Sequence, residues 1–146
     1  MKINIFVNIS SKYQDVADVF FEQLEKNWDE NKFDIYILCD QGIGEYNNYK
    51  KYVYADDITL PNRIYDAAVK KKADYYICFL GDAIIGNKII QYKIEKLFHY
   101  MEANQIEYCN LIPINQTKSD SLYRFIRKNE FYGIGFIAFI ASYNFI

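Results

Sequence analysis

Apolar residues fall along this chain in two rhythms that alternate from the N-terminus to about residue 112. Residues 3–9, Ile-Asn-Ile-Phe-Val-Asn-Ile, are dense in β-formers and nearly continuously apolar, which predicts a buried strand. Ser10 and Ser11 end it, and Ser11 followed three residues later by Gln14 has the form of a capping box. Val16, Phe20, Leu24 and Trp28 then recur at helical spacing, so residues 14–27 are expected to form an amphipathic helix. A second strand is expected over 33–39, ending at Asp40 and a loop with Gly42 and Gly44, and a short third one over 52–54.

The alternation continues. Thr59-Leu60-Pro61 marks a helix start, since Pro is tolerated in a first turn; Ile64, Ala67 and Ala68 face inward, and Lys70-Lys71-Lys72 closes the helix at its carbonyl end. Residues 75–80 form the most strand-like run in the chain, followed directly by Gly81-Asp82. The next helix is expected over 87–104, with Ile90, Ile94, Leu97, Phe98 and Met101 on one face and His99 beside that stripe. Another strand is expected over 106–112, stopped by Pro113, then a polar loop over 115–121, a short helix over 122–128 and an apolar strand region from Phe131. Strands alternating with helices predict an α/β fold: a mostly parallel sheet with right-handed crossovers and helices on both faces.

Composition narrows what such a fold does. The chain has 146 residues, 51% of them hydrophobic, which suits one compact domain with a real core. Its net charge of −2 and pI of about 5.4 supply no basic field, so no nucleic-acid partner is expected. Tyr46, Tyr49, Tyr52 and Tyr54 with Lys50 and Lys51 form a weak alternative as a stacking platform for single strands. Cys39, Cys78 and Cys109 sit in or beside apolar runs without a ligand pattern and read as buried thiols. The first residues are too short and polar an apolar run for a signal-peptide core, so a cytoplasmic location is expected. The uncharged stretch 131–146, from Phe131 on, is 16 residues long, short of the roughly 20 that span a bilayer. It leaves room for a peripheral contact at the inner face of a membrane, or for self-association.

In parallel sheets ligands sit beyond the carboxyl ends of the strands, which selects Asn8, Ile9, Ser10, Asp40 and Gly81-Asp82 as a candidate rim. An aspartate there is held on rigid backbone while meeting solvent, placed to hydrogen-bond a base or ribose, or to ligate a divalent cation bridging a diphosphate. The first strand lacks a GxGxxG turn, and Walker A and GxSxG patterns are absent. With one histidine, a nucleophilic triad has little support.

The stretch from Leu60-Pro61-Asn62-Arg63 through Ala67-Ala68 and Lys70-Lys71-Lys72 to Phe79-Leu80-Gly81-Asp82 resembles the nucleotide-sugar-binding half of GT-A-fold glycosyltransferases. The resemblance covers about residues 1–114, leaving 115–146 as an extension. It implies a Rossmann-like fold, with Asn8, Ile9 and Ser10 along the base, Asp40 near the base or ribose, Arg63 near the diphosphate and Asp82 at a divalent cation, Mn²⁺ or Mg²⁺. By its position alone Arg63 reads as a solvated helix residue. The family usually carries two or three acidic residues at the metal motif, and here only Asp82 stands. The resemblance further implies transfer of a sugar from a nucleotide-diphosphate donor in bacterial surface polysaccharide or lipopolysaccharide assembly. A non-catalytic subunit that pairs through 131–146 is the alternative reading.

Overall fold

A computed structural model describes residues 1–41, 43–46, 48–83, 85–111 and 138–146. The elements are β1 (Ile3–Ile9), a single 3-10 turn (Ser11–Tyr13), α1 (Gln14–Asn27), β2 (Asp34–Asp40), β3 (Lys50–Tyr54), α2 (Leu60–Lys70), β4 (Tyr75–Leu80), α3 (Gln91–Ala103), β5 (Tyr108–Asn110) and β6 (Ala138–Ser142). The strands form one sheet in the order β3-β2-β1-β4-β6-β5. The first four are mutually parallel, while β6 runs antiparallel to both β4 and β5.

The period-2 geometry of a strand sends successive side chains to opposite faces, and both faces of this sheet are covered. Ile5, Val7, Ile37, Ile77 and Ile140 pack with Phe20 and Leu24 of α1 and with Leu97, Phe98 and Met101 of α3. On the other face Phe6, Tyr36, Leu38, Tyr76 and Cys78 pack with Ile64, Ala67 and Ala68 of α2. Small alanines let α2 approach the sheet closely enough for Phe6 and Tyr76 to stack beneath it, centroids 4.9 Å apart. Two-sided burial is why β1 and β4 read as continuous apolar runs.

Several sequence expectations are corrected. Val16 is 38% exposed, and the buried stripe of α1 is Ala17, Phe20, Phe21 and Leu24, continued by Trp28. The capping box does not form: Gln14 Oε1 accepts the backbone N–H of Gly44 instead, and the 3-10 turn precedes α1. α3 starts at Gln91 rather than near residue 87 because α1 engages backbone groups of the segment before it. Gln23 accepts the Ile85 N–H, Asn27 Nδ2 donates to the Ile85 carbonyl, and the Ile89 N–H donates to the Asn27 carbonyl. The strand expected over 106–112 is shortened to β5, and the polar loop expected over 115–121, the short helix over 122–128 and the start of the strand region from Phe131 lie outside the described residues.

The core also does not end near residue 114, since β6 is buried between β4 and β5. Residues 138–142 of the apolar segment are therefore interior, not a presented surface. Both Leu111, just after β5, and Ala138, at the start of β6, stand at the sheet edge where β4 ends: the Leu111 N–H donates to the Ala138 carbonyl, and Ala138 is paired with Phe79. No helix among the described residues is long and apolar enough to cross a membrane.

Phe20, fully buried and in ring contact with Phe21 and Phe79, joins α1 to the centre of the sheet. Phe20→Ala is expected to lower unfolding free energy by about 3–5 kcal/mol, measured by urea titration followed by circular dichroism.

Candidate functional site

β1, β2 and β4 end level with one another, with Asn8 paired to Leu38 on one side and Leu80 on the other. From β1 the chain adds β2 and β3 in one direction, then crosses back to place β4 on the opposite side of β1. The carboxyl edge between β1 and β4 is thus the point where strand order reverses, the place where sheets of this topology bind ligands. Gly81, the residue after β4, ties the two strands together at this edge. Its N–H donates to the Asn8 carbonyl at 2.9 Å, and a Cβ there would stand 2.9 Å from Ile9 Cγ1, an approach glycine alone permits without displacing the isoleucine.

The residue after β1 is fastened across the sheet to the end of β2. Asp40 is only 6% exposed; its Oδ2 accepts the Ser10 hydroxyl at 2.9 Å and its Oδ1 the Ser11 backbone N–H at 2.7 Å. The carboxylate thereby caps the turn that leads into α1 from a different strand, taking the place of the absent local cap. Burial pushes its pKa up, but the hydrogen bonds from Ser11 and Ser10 and the nearby positive charge of Arg63 outweigh burial and hold it below the ordinary value of 3.8.

Arg63 is not the solvated helix residue its position suggests. It is 6% exposed on α2, its Nε donates to the Ile58 carbonyl at 3.0 Å, and its guanidinium lies 5.9 Å from the centre of the Tyr54 ring. The ion pairs among the described residues are Lys70 with Asp66 and Lys88 with Asp29, so Arg63 is a buried cation without a carboxylate in contact. Asp82 is exposed and makes no hydrogen bond or ion pair among the described residues. Asn8 is half-buried, and its Oδ1 is sealed from solvent without a partner among the described residues. The Ile9 side chain, 2% exposed, belongs to the core cluster that packs with α1.

The structure therefore brings Asn8, Ser10, Asp40 and Arg63 to one end of the sheet and sets Asp82 on the loop leaving β4. Sequence reasoning missed Ser11 and the loop after β2. That loop is fixed by Tyr46, whose ring packs on Phe21 and whose hydroxyl donates to Asp18, and by Tyr49, which packs on Phe21 and donates to Glu25. Tyr52 stacks on Tyr36 and the Tyr54 hydroxyl donates to Asp66, so these tyrosines are packed within the fold rather than arrayed as a stacking platform. The three cysteines are buried and free, and burial raises each thiol pKa, that of Cys109 to about 11, leaving no reactive thiolate. His99 is exposed on α3, away from the rim.

No protein-family model and no curated protein matches the sequence. The architecture nevertheless recurs among solved structures. A CMP:2-keto-3-deoxy-manno-octonic acid synthetase in complex with CTP superposes with a TM-score of 0.60 at 13% identity, over 99% of this chain and 75% of that one. A cytidylyltransferase from Leptospira borgpetersenii serovar Hardjo-bovis gives 0.62 at 18% identity, over 99% of this chain and 61% of its own. The fold is shared with nucleotide-binding enzymes. At these identities the likeness speaks for the architecture, and it bears out the expected α/β sheet with helices on both faces.

Because its folded pKa lies below 3.8, Asp40 contributes stability that is present above that value and is lost as pH falls through the folded pKa. Asp66, lowered chiefly by its hydrogen bond from Lys70, acts in the same direction. Asp40→Asn is expected to flatten part of the acid limb of a stability-versus-pH curve between about pH 4 and pH 2, with the Asp66 share remaining. An unaltered acid limb would remove Asp40 from this role.

Proposed function

We propose that the rim between β1 and β4 binds the nucleotide part of an activated sugar or of its nucleoside triphosphate precursor, and that the chain is a transferase domain acting on it. The observation that carries this reading is Arg63: a guanidinium withdrawn from water near the carboxyl ends of β2 and β3, against Tyr54 and within electrostatic reach of Asp40, with no carboxylate in contact among the described residues. Burying a charge without a partner is costly, and an arriving phosphate would supply the missing anion through charge-assisted hydrogen bonds. Asn8 and Ser10 would lie along the base and sugar, with Asp40 holding the turn they depend on.

Asp82 suits a divalent cation that arrives with the phosphates, since Mg²⁺ or Mn²⁺ is commonly held by one carboxylate plus phosphate oxygens and water. The described residues assemble no group of three protein ligands, so Asp82 would be the protein's share of that site. Such a cation would neutralise the charge that develops on the departing diphosphate.

The resemblance to GT-A glycosyltransferases favours a sugar donor such as a uridine diphosphate sugar, with a role in bacterial surface polysaccharide or lipopolysaccharide assembly. The fold likeness to two enzymes of cytidylyl chemistry favours CTP and nucleotidyl transfer. Calorimetric titration of CTP, UDP, UDP-glucose and UDP-galactose with Mg²⁺ or Mn²⁺ separates them by which ligand binds tightest. Arg63→Gln is expected to weaken the preferred ligand by about tenfold to a hundredfold, in line with loss of a charged hydrogen-bond partner, and Asp82→Ala to weaken it only when the cation is present. Absence of heat with every nucleotide would overturn the reading.

A further inference from the structure

β3 stands at one end of the sheet, so among the described residues no strand lies along its outer side. Lys50, Lys51 and Val53 of this five-residue strand are exposed, Val53 to 56%. An unpaired strand edge is a template for another strand, and native edges are blunted by charge, most often by lysine. Here the charge is laid out with a direction. Lys50 and Lys51 open the strand, while Asp56 and Asp57 follow it in a turn closed by the Ile58 N–H on the Ala55 carbonyl. All four are exposed, and the ion pairs among the described residues, Lys70 with Asp66 and Lys88 with Asp29, include none of them. Lys50 Nζ lies over the Tyr36 ring and Lys51 Nζ donates to the Gly44 carbonyl, contacts that supply neither lysine with a counter-charge.

We propose that the outer edge of β3 docks a second copy of this chain, the two β3 strands pairing antiparallel about a two-fold axis at Val53 and joining two sheets into one. A two-fold axis normal to a sheet keeps each residue on its own face, so the axis passes through a residue and only positions of matching parity meet. Centred on Val53, the valines meet at the axis and Tyr52 faces Tyr54 of the copy. Lys50 then comes opposite the copy's Asp56, with Lys51 diagonal to its Asp57, and every such pair occurs twice. Centred on Tyr52, Lys51 stands diagonal to its own image, like charge beside like. Centred on Tyr54, all but the axial residue pair with the turn beyond the strand rather than with the strand. The lysines that guard the edge against strands of other sequence therefore match the acidic exit of an identical strand, which makes them a selector of partner and register. A joint of one strand pair is small beside the roughly 1,200–2,000 Å² buried in lasting interfaces, so the dimer is expected to be half-assembled at about 10–100 μM. The proposal is independent of the nucleotide reading.

The test is sedimentation velocity on the full chain from about 1 to 300 μM, a range that brackets the expected midpoint. The native chain is expected to move from the 17.4 kDa of one copy to twice that mass. Raising NaCl from about 50 to about 500 mM is expected to shift the transition to higher concentration, because the matched charges are exposed. Val53→Lys sets two lysines against each other at the axis and is expected to stay monomeric throughout. Lys50→Asp and Asp56→Lys are each expected to weaken the dimer about tenfold or more, since each spoils two pairs. The double swap restores the order of charge with its sign reversed at that pair, and is expected to recover the native dissociation constant to within about threefold. Val19→Lys, on the exposed side of α1, is the control and is expected to change nothing. Circular dichroism checks that each of these surface variants is folded. A native chain that is monomeric at every concentration would overturn the proposal, as would a dimer that Val53→Lys leaves intact. A double swap no better than its two parts would overturn the register and with it the joint.

Discussion

Asp40 holds its charge at a place where water barely reaches, and the arrangement of the rim follows from how that charge is satisfied. A carboxylate so buried is stable only where donors converge on it, and here they come from the turn after β1. The turn has no cap of its own, so α1 begins where it does because a neighbouring strand ends in an acceptor. α1 in turn covers one face of the sheet and carries the residues that bind the next loop. A single strand-end carboxylate thus relates β1, β2 and α1, with Arg63 of α2 contributing positive charge from the other face.

Much of this was legible in the order of apolar and polar residues. β1 and α1 have the bounds that the spacing of their residues predicts, because in both elements burial and local propensity agree. The inward face of α2 was likewise readable from Ile64, Ala67 and Ala68. What could not be read were contacts between segments distant in sequence. The late start of α3 is imposed by Gln23 and Asn27, side chains some sixty residues earlier that occupy the backbone groups a helix would need. Gln14 looked like half of a capping box because the pattern is local, whereas its amide is used by Gly44 thirty residues on.

The candidate site shows the same division. Position at a strand end marked Asn8, Ser10, Asp40 and Asp82, since the rule that places ligands there depends only on topology. Position did not disclose that Asp40 has both oxygens engaged by the neighbouring turn, or that Ile9 is sealed in the core. Arg63 was the reverse case: helical spacing put it beside solvent, yet the loop before α2 folds over it and leaves it enclosed. Charge and burial were separable only once the tertiary contacts were known.

The placement of β6 between β4 and β5 has a consequence for how the chain acquires its shape. The four parallel strands and their helices can assemble in the order in which they are synthesised, each crossover closing on what precedes it. β5 has no place to dock until β6 has arrived, because among the described residues β6 is its one partner in the sheet and separates it from β4. Between β5 and β6 lie 27 residues, and the pairing of β4 with β6 spans about sixty, so this half of the sheet closes over large sequence separations and slowly. While synthesis proceeds, β4 presents an apolar open edge. The molecule therefore passes through a stage in which its parallel half is built and its far half is still unpaired, and that edge is where a chaperone, or a wrong strand, would find it.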